Sequence, residues 1–244
     1  MLGYIVYHAP STTRAYLQQE RRLGGTFLVL NMGRNAQGIF APRRAAQAAK
    51  RMLEQGVRRA VFPIDFPHTA VFLRHGITPV DPLPLRTALC PLYVRRKLDT
   101  LGLSGTQAVI AVAGDSMNTE MAQVVHELAL NYRYVLLSVR SGSEEFARRM
   151  RRQYGVSILL APSVDQLACA DALVLFSPRN DLSGTNRVLC TLHPGGDPRG
   201  CIPLRLSEDL LSSVEPNCPQ DQLAAALHSM GVLPAERLLG EIAC

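Results

Sequence analysis

The sequence predicts an α/β fold, with a doubly wound, mostly parallel sheet in the C-terminal half and a smaller α/β N-terminal half. Three observations carry this. Between residues 106 and 178, continuous apolar runs alternate with amphipathic stretches of helical period, the pattern of parallel strands covered on both faces by crossover helices. Gly155 stands where one of those amphipathic stretches must stop, as Gly56, Gly76 and Gly102 do for the helices before them. The 244 residues, 47% hydrophobic and 19% charged, suffice for one large or two small globular α/β domains.

The elements follow in order. Tyr4-Ile5-Val6-Tyr7 and Thr26-Phe27-Leu28-Val29-Leu30 are strand candidates, the second preceded by Gly24-Gly25. A helix from about Pro42 to Gln55 has proline in its first turn and Gly56 at its end. Ala60-Val61-Phe62-Pro63-Ile64 is a third strand, with Pro63 at its end or on a sheet edge. Phe66-Pro67-His68-Thr69 begins a short helix that Gly76 stops. The prolines of Thr78 to Pro84 impose extended chain. A helix from about Leu85 to Leu101 precedes Gly102, Ser104 and Gly105, which mark the joint between an N-terminal α/β domain, 1–103, and a C-terminal domain, 104–244.

In the second domain the alternation is regular. Strands are expected at Ala108–Ala113, Val135–Val139, Ser157–Leu160 and Ala172–Phe176. Helices are expected at about Asn118–Asn131, Ser143–Tyr154 and Val164–Cys169. Asn180 to Asn186 reads as a loop. Val188–Leu192 and Ile202–Leu204 are two further strand candidates, and helices from about Gln220 to Met230 and Ala235 to Ile242 end the chain.

Composition removes several classes of function. No apolar run approaches the roughly 18 residues of a spanning helix. Met1 to Tyr7 has neither basic leader nor long apolar core and reads as a strand, so a cytoplasmic protein with no membrane partner is expected. Cys90, Cys169, Cys190, Cys201, Cys218 and Cys244 form no C-x-x-C pair and no zinc-finger spacing, so neither a metal nor a disulfide framework is expected. The net charge is +6, and all basic residues except Lys50 and Lys97 are Arg, which suits a small anionic ligand. Arg148, Arg149, Arg151 and Arg152, following Glu144 and Glu145, fit a solvated helix face. Aromatic residues make up 6% of the chain and Trp is absent; without a basic–aromatic stripe, nucleic acid is not the expected partner.

In a parallel α/β sheet, ligands bind beyond the carboxyl ends of the strands. Gly114-Asp115-Ser116-Met117-Asn118-Thr119 lies there, between a strand and a helix whose first amides favour an anion. Gly114 gives the turn freedom, and Ser116, Asn118 and Thr119 carry hydrogen-bonding groups. The same residue types also cap helices.

From Val109 to Pro178 the sequence resembles the Rossmann-like NAD(P)-binding domain of the shikimate dehydrogenase and glutamyl-tRNA reductase group. The resemblance lies in Val109-Ile110-Ala111-Val112, the small polar turn, the second strand ending Val139-Arg140-Ser141, the helix Glu144-Glu145-Phe146-Ala147-Arg148-Arg149-Met150, and Ala170-Asp171-Ala172-Leu173-Val174-Leu175-Phe176-Ser177-Pro178. It implies NADP as cofactor, with Arg140 at the 2′-phosphate position and Gly114, Ser116, Asn118, Thr119, Ser141 and Ser177 around the ligand. The glycine motif is degenerate. Ala113-Gly114-Asp115-Ser116-Met117-Asn118 stands where G-x-G-x-x-G lets the backbone approach a pyrophosphate, and Asp115 repels one. The family's catalytic lysine has no counterpart in Pro63-Ile64-Asp65-Phe66-Pro67-His68.

The same turn also reads as a variant nucleophile elbow, Gly-x-Ser-x-Asn, in the strand–turn–helix context such an elbow needs. Ser116 would be the nucleophile, Met117 N–H an oxyanion donor, Asp165, Asp171 or Asp181 the acid, and His193 or His228 the base. Elsewhere Asp65, His68 and His75 are candidates for a cleft, and Asp81 with Arg86 for closing a cleft or for a surface ion pair. Leu223, Leu227, Leu238 and Leu239 of the final helices suit packing or a homodimer surface. Three readings stand: binding of a nucleotide or other anionic ligand, as an oxidoreductase relative with altered or lost cofactor binding; serine hydrolysis through Ser116; and a non-catalytic structural or regulatory role.

Overall fold

A computed structural model describes residues 1–7, 14–103, 105–182, 185–234 and 237–238. The chain forms two compact units: Met1–Pro82 with a return segment from Leu204, and Leu83–Pro203.

The first unit begins with β1 (Leu2–Val6), β2 (Tyr16–Arg22) and β3 (Gly25–Asn31). Then come α1 (Ala41–Glu54), β4 (Arg59–Val61), α2 (Thr69–Arg74) and β5 (Thr78–Pro79). Its sheet has the order β2-β3-β1-β4-β5, and only β2 runs antiparallel to its neighbour. β2 was not expected from the sequence. Tyr-Leu-Gln-Gln-Glu-Arg-Arg is polar because it is an edge strand with no buried residue. It is defined by a two-residue turn, Leu23 (φ 51°) and Gly24 (φ 83°), whose left-handed pair matches hairpin twist. The core joins Ile5, Leu28 and Leu30 of the sheet to Met52, Phe62, Phe66, Phe72 and Ile77.

The second unit contains α3 (Leu83–Thr100), β6 (Val109–Ala113), α4 (Thr119–Asn131), β7 (Tyr134–Ser138), α5 (Ser143–Tyr154), β8 (Ile158–Leu160), α6 (Val164–Ala168), β9 (Ala172–Leu175) and β10 (Val188–Thr191). Every pairing is parallel, in the order β10-β9-β6-β7-β8. Ala111, Ala113, Leu173 and Leu175 pack on Leu167 of α6. Alternate residues Ile110, Val112 and Val174 face the other side and are equally buried. The sheet is therefore doubly wound, and this unit has the predicted fold class.

Three expectations are corrected. The joint at residues 102–105 put α3 in the first domain, but α3 packs on α4 and β10 of the second unit, and Leu89, Tyr93, Val94 and Leu98 are among its buried residues. The C-terminal segment was placed with the second domain. It instead supplies α7 (Glu208–Leu211) and α8 (Gln220–Ser229) to the first unit, where α8 packs on β4. Ile202–Leu204 is not a strand; Pro203 has no amide for a ladder, and Ile202 is buried from irregular chain. The helix expected at 235–242 lies outside the described residues except Arg237 and Leu238; the latter's carbonyl accepts from Arg205 N–H at 2.9 Å.

The return segment is held by half-buried and exposed polar contacts. Glu215 accepts hydrogen bonds from the Tyr4 hydroxyl of β1 and from Arg22 of β2 at 2.6 Å. The Arg22 guanidinium lies 4.8 Å from the centroid of the Tyr4 ring. Asn217 Nδ2 donates to Tyr7 O and Asp65 Oδ1, each at 2.8 Å, while Ile64 N–H donates to Asn217 O at 2.9 Å.

Candidate functional site

Strand order locates the crevices. In the second unit the chain winds outward from β6 through β7 to β8, then returns to β9 on the other side of β6. The connections leaving β6 and β9 thus diverge, the condition for an open crevice at the carboxyl edge of a parallel sheet. β1 and β4 make the equivalent divergence in the first unit. There Asn217 bridges the chain after both strands, so that position is occupied by the protein itself.

At the crevice of the second unit, the loops after β6 and β7 extend the parallel ladder. Gly114 N–H donates to Ser138 O at 3.0 Å, Arg140 N–H to Asp115 O at 3.2 Å, and Met117 N–H to Ser141 O at 3.2 Å. The turn is thereby rigid, and two of its amides are spent within the protein. Gly114 sits at a close approach: a Cβ there would meet Met121 Cε at 2.3 Å and Phe176 Cβ at 3.1 Å, so the Met121 side chain would have to move aside. Asn118 caps α4, its side-chain oxygen accepting from Met121 N–H at 2.8 Å. The first-turn amides of α4 ahead of Met121 have no intrahelical acceptor, and Thr119 is exposed beside them.

An open depression of about 610 Å³ lies along this edge. Gly114, Asp115, Ser138, Arg140, Ala161 and Arg179 are among the residues lining it. Of the predicted site residues, Gly114 and Arg140 line it directly. Ser116, Asn118 and Thr119 follow on the same turn, and Ser141 holds that turn through its carbonyl. Ser177 sits just past β9, only 7% exposed, and its hydroxyl has no hydrogen-bond partner among the described residues. A buried hydroxyl without a partner is costly in a finished core.

Arg179 was missed by the sequence reading. It follows β9, yet its guanidinium reaches Ser138 Oγ at the end of β7 at 3.3 Å, across the position of β6. It also makes a two-point contact with Asp181, Nε to Oδ1 at 2.7 Å and Nη2 to Oδ2 at 2.6 Å. Arg179 pulls the Asp181 carboxyl down to about 2. Asp181, and to a lesser degree Asp115, hold the guanidinium more firmly protonated. The signal was a loop after the fourth strand of a doubly wound sheet, visible only once strand order is known.

The hydrolase arrangement is not assembled. Asp171 accepts from Val109 N–H at the start of β6, the edge opposite Ser116. Asp181 is paired with Arg179. His193 Nδ1 contacts Pro194 O at 3.1 Å, and His228, in the first unit, contacts Leu233 O at 3.1 Å. Among the described residues no histidine bonds to Ser116. His68 Nε2 contacts Ala36 O at 3.0 Å, and no group of three His, Cys, Asp or Glu side chains that could hold a metal occurs among the described residues. The five described cysteines are free. No described helix is long and apolar enough to cross a membrane.

No family model matches this chain, and no curated protein matches it. Solved structures similar to it include L-tryptophan dehydrogenase from Nostoc punctiforme, 11% identical over 70% of this chain and 51% of that one, with a TM-score of 0.34. A putative aspartate carbamoyltransferase from Trypanosoma cruzi is 16% identical over 98% of this chain and 83% of that one, with a TM-score of 0.34. A D-isomer-specific 2-hydroxyacid dehydrogenase from Lactobacillus delbrueckii ssp. bulgaricus, solved with NAD, is 11% identical over 63% of this chain and 56% of that one, with a TM-score of 0.30. The chain thus spans about half the length of the tryptophan dehydrogenase. These neighbours are α/β proteins of dehydrogenase and carbamoyltransferase type, and no residue of this chain is matched to theirs at such scores.

Proposed function

We propose that the second unit binds a phosphorylated nucleoside, or an anion of similar size, in the depression beside Gly114, with Arg140 and Arg179 on its phosphate. The observation that carries this reading is Arg179, laid across the sheet's switch point and held by the Ser138 hydroxyl and the exposed Asp181 carboxylate. A ligand phosphate offers the same two-point geometry as Asp181 and would displace it. Ser177 offers a buried hydroxyl beside this crevice.

The residues fit a nicotinamide dinucleotide only in part. The resemblance of residues 109–178 puts Arg140 at the position that would meet a ribose phosphate of NADP. The pyrophosphate position does not fit: Asp115 brings a carboxylate, the Gly114 and Met117 amides are bonded within the protein, and Met121 fills the space against Gly114. A mononucleotide-sized ligand is therefore favoured over an intact dinucleotide, and no hydride-transfer step is derived.

The test is a melting series with AMP, adenosine 2′,5′-bisphosphate, ATP, NADP and NAD. At about 100 times Kd a ligand stabilises by about 2.7 kcal/mol, a rise of about 5–10 °C for a chain of this size. Bisphosphate and NADP should shift melting more than NAD. Asp181→Asn should raise the affinity by freeing Arg179, and Arg179→Ala should lower it about tenfold or more. A melting temperature unmoved by every nucleotide would sink the reading.

A further inference from the structure

The first unit carries a surface that the nucleotide reading does not use. Gly38, Ile39, Phe40 and Ala41 form a closed turn, Ala41 N–H donating to Gly38 O at 3.0 Å. Ile39 and Phe40 occupy its two corners, where polar residues are usual. They are 93% and 63% exposed, so neither serves the core. The turn is the entry to α1, whose Phe40 carbonyl accepts from Arg44 N–H at 3.1 Å.

The charge behind this tip is one-sided. From Arg21 to Leu53 the sequence contains no Asp or Glu. α1 buries Ala41, Ala45, Ala49 and Met52; at 3.6 residues per turn Arg43 and Lys50 fall on the opposite face and Arg44 and Arg51 on its flank, all four exposed. The first turn of α1 holds no acid but two arginines, against the preference of a helix N-terminus for negative charge. Arg34, on the turn before the tip, adds a fifth cation. Among the described residues none of these five makes a salt bridge.

We infer that this tip docks the protein on an anionic lipid surface, Ile39 and Phe40 entering the interface while the α1 cations meet lipid headgroups. Apolar side chains held out on a bonded turn have little use for a soluble polyanion. Unpaired cations beside them have little use for a purely apolar partner. A negatively charged membrane surface satisfies both. The expectation of no membrane partner rested on the lack of a spanning segment, and a surface contact needs none.

Sedimentation of the full chain with vesicles of phosphatidylcholine and phosphatidylglycerol tests this, with pure phosphatidylcholine as control. Binding is expected only to the mixed vesicles, and should weaken as salt is raised. Arg43→Gln with Arg44→Gln should weaken it about tenfold or more, at about fivefold per cation. Ile39→Ser with Phe40→Ser leaves every charge in place and should weaken it comparably. Both pairs are exposed, so unchanged melting verifies folding. Equal binding to neutral vesicles, or none to either, overturns the inference. So does full retention by the serine variant, which means adsorption by charge alone. Self-association abolished by the serine variant assigns the tip to a second copy, and preferential retention of RNA or DNA assigns the cations to nucleic acid; either overturns it too.

Discussion

Glu215 sits under opposed influences. Burial raises its pKa, while hydrogen bonds from Tyr4 and Arg22 lower it, and the hydrogen bonds win. A carboxyl whose folded pKa lies below its unfolded value stabilises the fold above that unfolded value, here 4.5. The contribution fades as pH falls through the folded value. Glu215→Gln should therefore cost about 2 kcal/mol at neutral pH, read as a lower urea midpoint. The gap between the two midpoints should narrow as pH falls below 4.5, and a gap that does not narrow would assign the loss to packing. Asp181 has the same sign, with its pKa at about 2, but it is exposed on a loop. Its pairing bears on what Arg179 is free to hold rather than on folding. In the sequence Asp181 is a candidate acid for Ser116, and nothing singles out Glu215. Their partners lie at contrasting distances: Arg22 is 193 positions from Glu215, and Arg179 is two from Asp181.

At the scale of elements, the turn from β6 to α4 shows how a ligand-binding feature and a packing feature share residues. Gly114 resembles a phosphate-loop glycine in sequence, but its space is taken by Met121 and Phe176. Gly114→Ala should cost about 1–3 kcal/mol through overpacking. That cost should shrink by about 1 kcal/mol in a Met121→Ala background, since the residues share one space. Denaturant melts of the four proteins measure it, and strict additivity would refute the steric account. Most regular elements were legible because buried parallel strands are continuously apolar and the helices between them are amphipathic. β2 was not, because an edge strand needs no apolar face. It is specified by a hairpin turn and by pairing with β3 from Tyr16 opposite Asn31 to Arg22 opposite Gly25.

For the whole molecule, the division into units departs from the glycine-rich joint. α3 lies before that joint yet packs on α4 and β10, with Leu89, Val94 and Leu98 among its buried residues. A fragment spanning Leu83–Pro203 should thus melt cooperatively, whereas one beginning at residue 104 should not, since it lacks the helix covering that face. Circular dichroism melts compare them, and equal cooperativity would restore the joint as the boundary. The first unit closes only when the chain returns: β4 receives α8, Phe62 N–H donates to Gln222 at 3.0 Å, and Asn217 bridges the chain after β1 and β4.

The sequence by itself determined the α/β class, the parallel character of the second sheet, and the turn at Gly114 as the place to look for a ligand. Each follows from local pattern, since strand burial and helix period are written in neighbouring residues. Tertiary structure alone decided strand order, the membership of α3 and α8, and the closing of the first unit's crevice by Asn217. It also decided the placing of Arg179 over β6 and the filling of the space at Gly114. These depend on contacts between residues distant in the chain, whose pairing no local period encodes.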